Sequence, residues 1–188
     1  MKLITTLLLV VISTQLLSAQ KCKYTTNKKD PFTGEQIVTV VHTNRGWTWA
    51  SIRQGEKFLI EMTFLHAGDI QKPMTVNDSV LVKLADGSVF HFRPMADVQP
   101  VSQSKSYTSG TSITSRSGTA VTTTMELTSF SPRFIVDKSV VEKMSQSGLV
   151  AIRLDFTGKP VDFDFQVKPL IKSVEPIMNQ SKCILTIQ

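Results

Sequence analysis

The sequence predicts an α+β fold that is mainly β: an antiparallel sheet or sandwich with two short helices in the C-terminal third. Three observations carry this. Apolar and polar residues alternate with period two in segment after segment between Gln36 and Val167. Pro, Gly and Asp clusters punctuate those segments as turns do. Helical periodicity appears only after Pro132, and helices gathered at one end of a mainly antiparallel sheet let both kinds of apolar face be buried. With 188 residues, 41% hydrophobic and 19% charged, the chain has apolar material for one core.

The elements follow in order. Lys21 to Asn27 is expected to pair with the β-branched run Gln36 to Thr43 across the turn Asp30-Pro31-Phe32-Thr33-Gly34. Arg45 to Ile52 is an extended segment with Trp47 and Trp49 on one face. In Lys57 to Leu65 the alternation marks Phe58, Ile60, Met62 and Phe64 as the core face. Ser79 to Leu84 and Ser88 to Arg93 form a hairpin whose register depends on the loop. A two-residue loop, Asp86-Gly87, would mix apolar and charged residues on each face. A three-residue loop, Ala85-Asp86-Gly87, collects Val80, Val82, Leu84, Phe90 and Phe92 on one face and leaves Lys83, His91 and Arg93 on the other. It also puts Gly87 where the loop needs a positive φ. Gln103 to Phe130 is rich in Ser and Thr; structureless loops of that length are uncommon, so a protruding ribbon over about 102–129 is expected, with Ala120 to Phe130 its better strand.

After Pro132, Phe134 to Val136 reads as a short strand. Ser139 and Glu142 have the spacing of a capping box before a helix that turns Val140, Val141 and Met144 to the core, and Gly148 is expected to end it as its C′ residue. Leu149 to Phe156 and Val161 to Val167 are the last strands; in the first, Val150, Ile152, Leu154 and Phe156 share a face. Lys168 to Ser181 closes the chain as a helix with Leu170, Ile171, Val174, Ile177 and Met178 on one apolar face. Pro169 suits its first turn, whereas Pro176 should kink or split it.

Residues 1–19 read as a signal peptide: Lys2, an apolar run from Leu3 to Leu17, then the small residues Ser18 and Ala19. The run is short for a membrane span, which needs about 20 apolar residues, and Lys21 before Cys22 removes the small-residue context of a lipoprotein signal. Residues 20–188 are then one β-rich domain, periplasmic or extracellular, with no membrane span after signal removal. In an oxidising compartment Cys22 and Cys183 are expected to pair and clamp the termini. On the chain-entropy view, closing so long a loop stabilises by roughly 5 kcal/mol at most. The chain has no CxxC, so nothing supports a thioredoxin-like redox role. The net charge of +6 is modest, and no Lys/Arg block is longer than Lys28-Lys29, which argues against a nucleic-acid partner.

The turn Asp30-Pro31-Phe32-Thr33-Gly34, the Ile152-Arg153 step in a strand after a helix, and a last helix ending in Lys182-Cys183-Ile184 resemble small exported proteins of unknown function from Bacteroidetes. The resemblance touches both ends of the chain, with the Ser/Thr-rich middle as an insertion. It implies a Gram-negative exported domain and no particular chemistry.

Chemistry-bearing residues are sparse. His42, His66 and His91 share no metal-ligand spacing. There is no GxSxG and no DxDxDG loop. Asp162 and Asp164 lie on one strand face, either as a carboxylate pair for glycosidic chemistry or as the wet side of an amphipathic strand. No catalytic residue, metal or cofactor is therefore expected. Trp47 and Trp49 are the ligand-binding candidates: exposed, they would form a stacking platform for a sugar or another aromatic surface; otherwise they fill the core. The function expected is an exported non-catalytic binding or envelope-associated domain, with protein or carbohydrate at the cell envelope as partner. The alternatives are a secreted hydrolase acting on glycans and a carrier of an apolar ligand.

Overall fold

A computed structural model describes residues 22–44, 47–68, 70–109, 121–155 and 160–187; the signal segment expected over residues 1–19 lies outside them. The strands are β1 (Thr26–Lys29), β2 (Gln36–Asn44), β3 (Trp47–Gln54), β4 (Lys57–Ala67), β5 (Val80–Leu84), β6 (Val89–Phe92), β7 (Val101–Ser109), β8 (Val121–Phe130), β9 (Arg133–Val136), β10 (Leu149–Leu154) and β11 (Val161–Asp164). Helix α1 (Lys138–Gln146) separates β9 from β10, and a 3₁₀ turn (Leu170–Ser173) leads into α2 (Val174–Leu185). All strand pairs are antiparallel, and the fold is mainly β as expected.

Strands β1-β2-β3-β4-β8-β7 form the large sheet, and β9 also joins β4. One long strand serves two partners: Phe58 to Glu61 of β4 pair with β9, and Phe64 to Ala67 with β8. Pro132, between β8 and β9, has no N–H for a ladder and offers only its carbonyl, which accepts the Met62 amide at 3.1 Å. Strands β7 and β8 pair through nine consecutive residues from Val101↔Ser129 to Ser109↔Val121. Only the Leu127–Phe130 end of β8 also reaches β4. Residues 110–120 lie outside the described ones.

The small sheet, ordered β11-β10-β5-β6, packs face to face on the large one. The core between them is aromatic: Phe64 meets Phe163 at 5.3 Å, Phe92 meets Phe134 at 5.7 Å, and Trp47 meets Phe165 edge-on at 4.9 Å. The predicted core face of β4, Phe58, Ile60, Met62 and Phe64, is buried throughout.

Helix α2 covers the part of the large sheet that the small sheet leaves open. Arg53 on β3 donates to the carbonyls of Ile184 and Ile187 at the end of that helix, where a cation satisfies orphan carbonyls. Ser51 accepts the indole N–H of Trp49 at 3.1 Å and donates to Gln180 Oε1 at 3.4 Å. The disulfide Cys22–Cys183, with Cα atoms 5.6 Å apart, ties the segment before β1 to α2.

The Ala85–Gly87 hairpin adopts the three-residue register: Val80 pairs Phe92, Val82 pairs Phe90, the Leu84 amide donates to the Ser88 carbonyl at 2.9 Å while its carbonyl accepts the Gly87 amide at 3.1 Å, and Gly87 has φ +85°. His91 is exposed. Phe92 is buried, but Phe90 is only half-buried. It sits on the edge strand β6, flanked by Phe92 and by the Lys143 ammonium 5.8 Å from its ring.

Other expectations need correction. Ser139 is no N-cap: β9 runs into α1 at Asp137, an extended residue whose side chain makes no capping bond, so Ser139 is already inside the helix. Glu142 faces Lys138 at 3.7 Å instead. Gly148 has no positive φ; its smallness matters, because a Cβ there would stand 2.8 Å from Val174 Cγ1. The closing helix starts later and runs further than its periodicity suggests, to Leu185, so Cys183 is helical and Pro176 falls in the first turn of α2, where no backbone bond is lost. Val150 leaves the face of Ile152 and Leu154 because a bulge interrupts the β5–β10 ladder between Leu149 and Ala151. Phe156 lies outside the described residues.

Two stability effects follow. Gly148→Ala should cost about 1–3 kcal/mol by overpacking, measured by urea denaturation. The double variant with Val174→Ala should lose less than the two single losses added. Replacing Cys22 and Cys183 by Ser opens a loop with a sequence separation of 161 residues and should cost about 2–5 kcal/mol. An unchanged midpoint would contradict it.

Candidate functional site

The outer face of the small sheet carries a trough of about 470 Å³. Period-two alternation builds it. Val80, Val82, Leu84, Ile152 and Leu154 point to the core, so Leu81, Lys83, Ala151, Arg153, Asp162 and Asp164 point outward. The register then aligns two rows across the strands: Leu81–Arg153–Asp162, and Lys83–Ala151–Asp164. On β6, His91 extends the first row and Val89 the second. Ala151 stands opposite Lys83 in the same register as Ile152 to Leu154, and the bulge at Val150 lies just beyond it, before Leu149 pairs Leu84. The Val150 carbonyl accepts the Phe165 amide at 2.8 Å, holding the bulge against the chain after β11.

The first row is closed by a bidentate ion pair. Arg153 Nε reaches Asp162 Oδ1, and Nη2 reaches Oδ2, each at 2.7 Å. This hydrogen-bonded guanidinium holds the Asp162 carboxyl below the usual carboxylate range, and the carboxylate in turn pushes Arg153 up. In the second row, Asp164 Oδ1 accepts the Gln166 amide at 2.8 Å, and Lys83 has no ion-pair partner among the described residues. Ala151, between them, brings only a methyl group into the gap. Leu81, Val89 and Val150 supply an apolar floor.

This geometry bears on glycan hydrolysis. A glycosidase needs one carboxyl that stays protonated to donate to the leaving group. Asp162, ionised against Arg153, cannot take that part. Cys22 and Cys183 are consumed in the disulfide and provide no thiolate.

Trp47 and Trp49 do not form a surface platform. They are 3% and 0% exposed, on the inner face of β3, which is a central strand covered by α2 and the segment after β11. Trp47 contacts His42, Trp49 and Phe165 edge-on. Its Nε1, and Nε2 of the half-buried His42, have no hydrogen-bond partner among the described residues. Burial pushes the His42 imidazole below its usual value. Sequence reasoning found Asp162 and Asp164 as a wet face but missed Lys83 and Ala151, whose only signal is the alternation of their own strands.

No model of a known protein family, no curated protein and no solved structure matches the chain.

His42 gives a pH-dependent term of definite sign. Its folded value lies below the 6.5 of the unfolded imidazole, so the unfolded chain binds the proton more readily. The stabilisation is complete above about pH 6.5 and is lost as pH falls below it towards the folded value. In urea titrations between pH 7.5 and 5, His42→Gln should lose less stability on acidification than the wild type does.

Proposed function

We propose that this chain is an exported, non-catalytic binding domain whose ligand surface is the outer face of the β11-β10-β5-β6 sheet. The observation that carries the reading is the trough itself: an apolar floor at Leu81 and Val150 between charged walls, on a sheet whose other face is locked into the core. A site on strands is positioned more firmly than one on loops, and the Arg153–Asp162 fork fixes one wall.

Export is supported by the apolar run after Lys2 and by the Cys22–Cys183 disulfide, a bond that persists in oxidising compartments. No helix among the described residues is long and apolar enough to cross a membrane. The partner is protein or carbohydrate at the cell envelope. The apolar-carrier reading is less well supported, since the space between the sheets is filled by Trp47, Phe64, Phe163 and Phe165. The hydrolase reading is less well supported, since Asp162 is held ionised by Arg153.

A fragment screen read by amide chemical shifts tests this. Hits should cluster on β5, β10 and β11, and Ala151→Leu, which fills the trough from an outward-facing position, should abolish them while leaving the fold intact. Hits that map elsewhere and survive Ala151→Leu would overturn the assignment of the face.

A further inference from the structure

The second row of the trough has a polarity that selects a ligand. Lys83 on β5 and Asp164 on β11 flank Ala151 on β10, with Val89 on β6 beyond Lys83. Two strand spacings of about 4.8 Å place their backbones roughly 9.6 Å apart. The neighbouring row neutralises itself through Arg153 and Asp162. What remains facing the trough, beside the neutral Gln166, is one cation, one anion and a gap that a methyl group does not fill, over the apolar floor of Leu81 and Val150.

We propose that this row binds a short free peptide laid across the strands, its terminal carboxylate on the Lys83 ammonium and its terminal ammonium on the Asp164 carboxylate, with an aliphatic side chain against Leu81 and Val150. The proposal rests on the reading of this face as the ligand surface. Length supports it: at no more than about 3.3–3.6 Å per residue, an extended tripeptide matches the spacing of the β5 and β11 backbones, and a single amino acid falls short of it. Charge supports it too. A polyanion would meet Asp164, and a polycation would meet Lys83, whereas a zwitterion pairs both. No aromatic ring lines the trough, so the stacking surface that sugars use is missing, and a neutral sugar would leave both charges without a counter-ion. Asp164 offers Oδ2 to the ligand, since the Gln166 amide bonds Oδ1. Lys83 and Asp164 are both exposed, so binding orders side chains that are already in water.

The experiment is an amide-shift titration of the full exported protein with the tripeptide Gly-Leu-Gly, its N-acetylated form, its C-amidated form and the doubly blocked form. The free tripeptide should shift the amides of residues 81–83, 151–153 and 162–164 saturably. Blocking either end should raise the Kd at least tenfold. Lys83→Gln should raise it tenfold for the free peptide and leave the C-amidated form unaffected, and Asp164→Asn should do the same with the N-acetylated form. Both are surface substitutions, and the dispersion of the unligated spectrum reports whether the fold is kept. Equal binding of the doubly blocked peptide, or shifts confined to other strands, would overturn the proposal. Fragments that shift these amides when no peptide does would overturn the peptide and leave the binding face standing; silence from both would overturn the two together.

Discussion

The inner row of β4, Phe58, Ile60, Met62 and Phe64, must be kept dry along the whole strand, and most of the architecture answers that requirement. Eleven residues of strand span about 36 Å, whereas the five of β5 span only about 17 Å. The small sheet cannot cover the large one alone. Helix α2 supplies the remaining cover, over β2 and β3, and it is held there from three sides: by Arg53 at its C-terminal carbonyls, by Ser51 and Gln180 at its middle, and by the disulfide at Cys183. Helix α1 packs on α2, and just after α1 the chain passes close to Val174 at Gly148, which has no side chain.

Magnitudes indicate which of these contacts matter most. A fully buried Phe or Leu contributes about 1.5–3 kcal/mol, and the buried aromatic set of the core contains Phe64, Phe92, Phe134, Phe165 and both tryptophans. Surface ion pairs such as Arg133 with Glu61, at 2.9 Å, contribute about 0–1 kcal/mol each. The Arg153–Asp162 fork belongs to the second kind. Its consequence is chemical more than structural: it keeps one carboxylate ionised and one row of the trough electrically closed.

Local rules succeeded where the deciding contact is local. The register of the Ala85–Gly87 hairpin was legible because a one-residue slip would have turned Val82 and Leu84 to water, and burial forbids that. The disulfide was legible from the expected export and from a count of two cysteines. Local rules failed where a distant element intervened. Ser139 and Glu142 have capping-box spacing, but β9 delivers the chain into α1 two residues earlier. Gly148 looked like a helix terminator and is a contact point for Val174, a residue of the following helix. Trp47 and Trp49 were correctly placed on one face, but alternation does not say which face of a sheet is covered.

By itself, then, the sequence determined the mainly β class, the faces of individual strands, the hairpin turn and the pairing of its two cysteines, since each depends on residues adjacent in the chain or, for the cysteines, on having only one partner. Tertiary structure alone decided that the indoles go inward, that Val150 bulges, and that Lys83, Ala151 and Asp164 form one row. Those outcomes depend on which strand lies beside which and in what register. Strand order is set by how two sheets and a helix of unequal length share one apolar face, a sum over the whole core that no single segment carries.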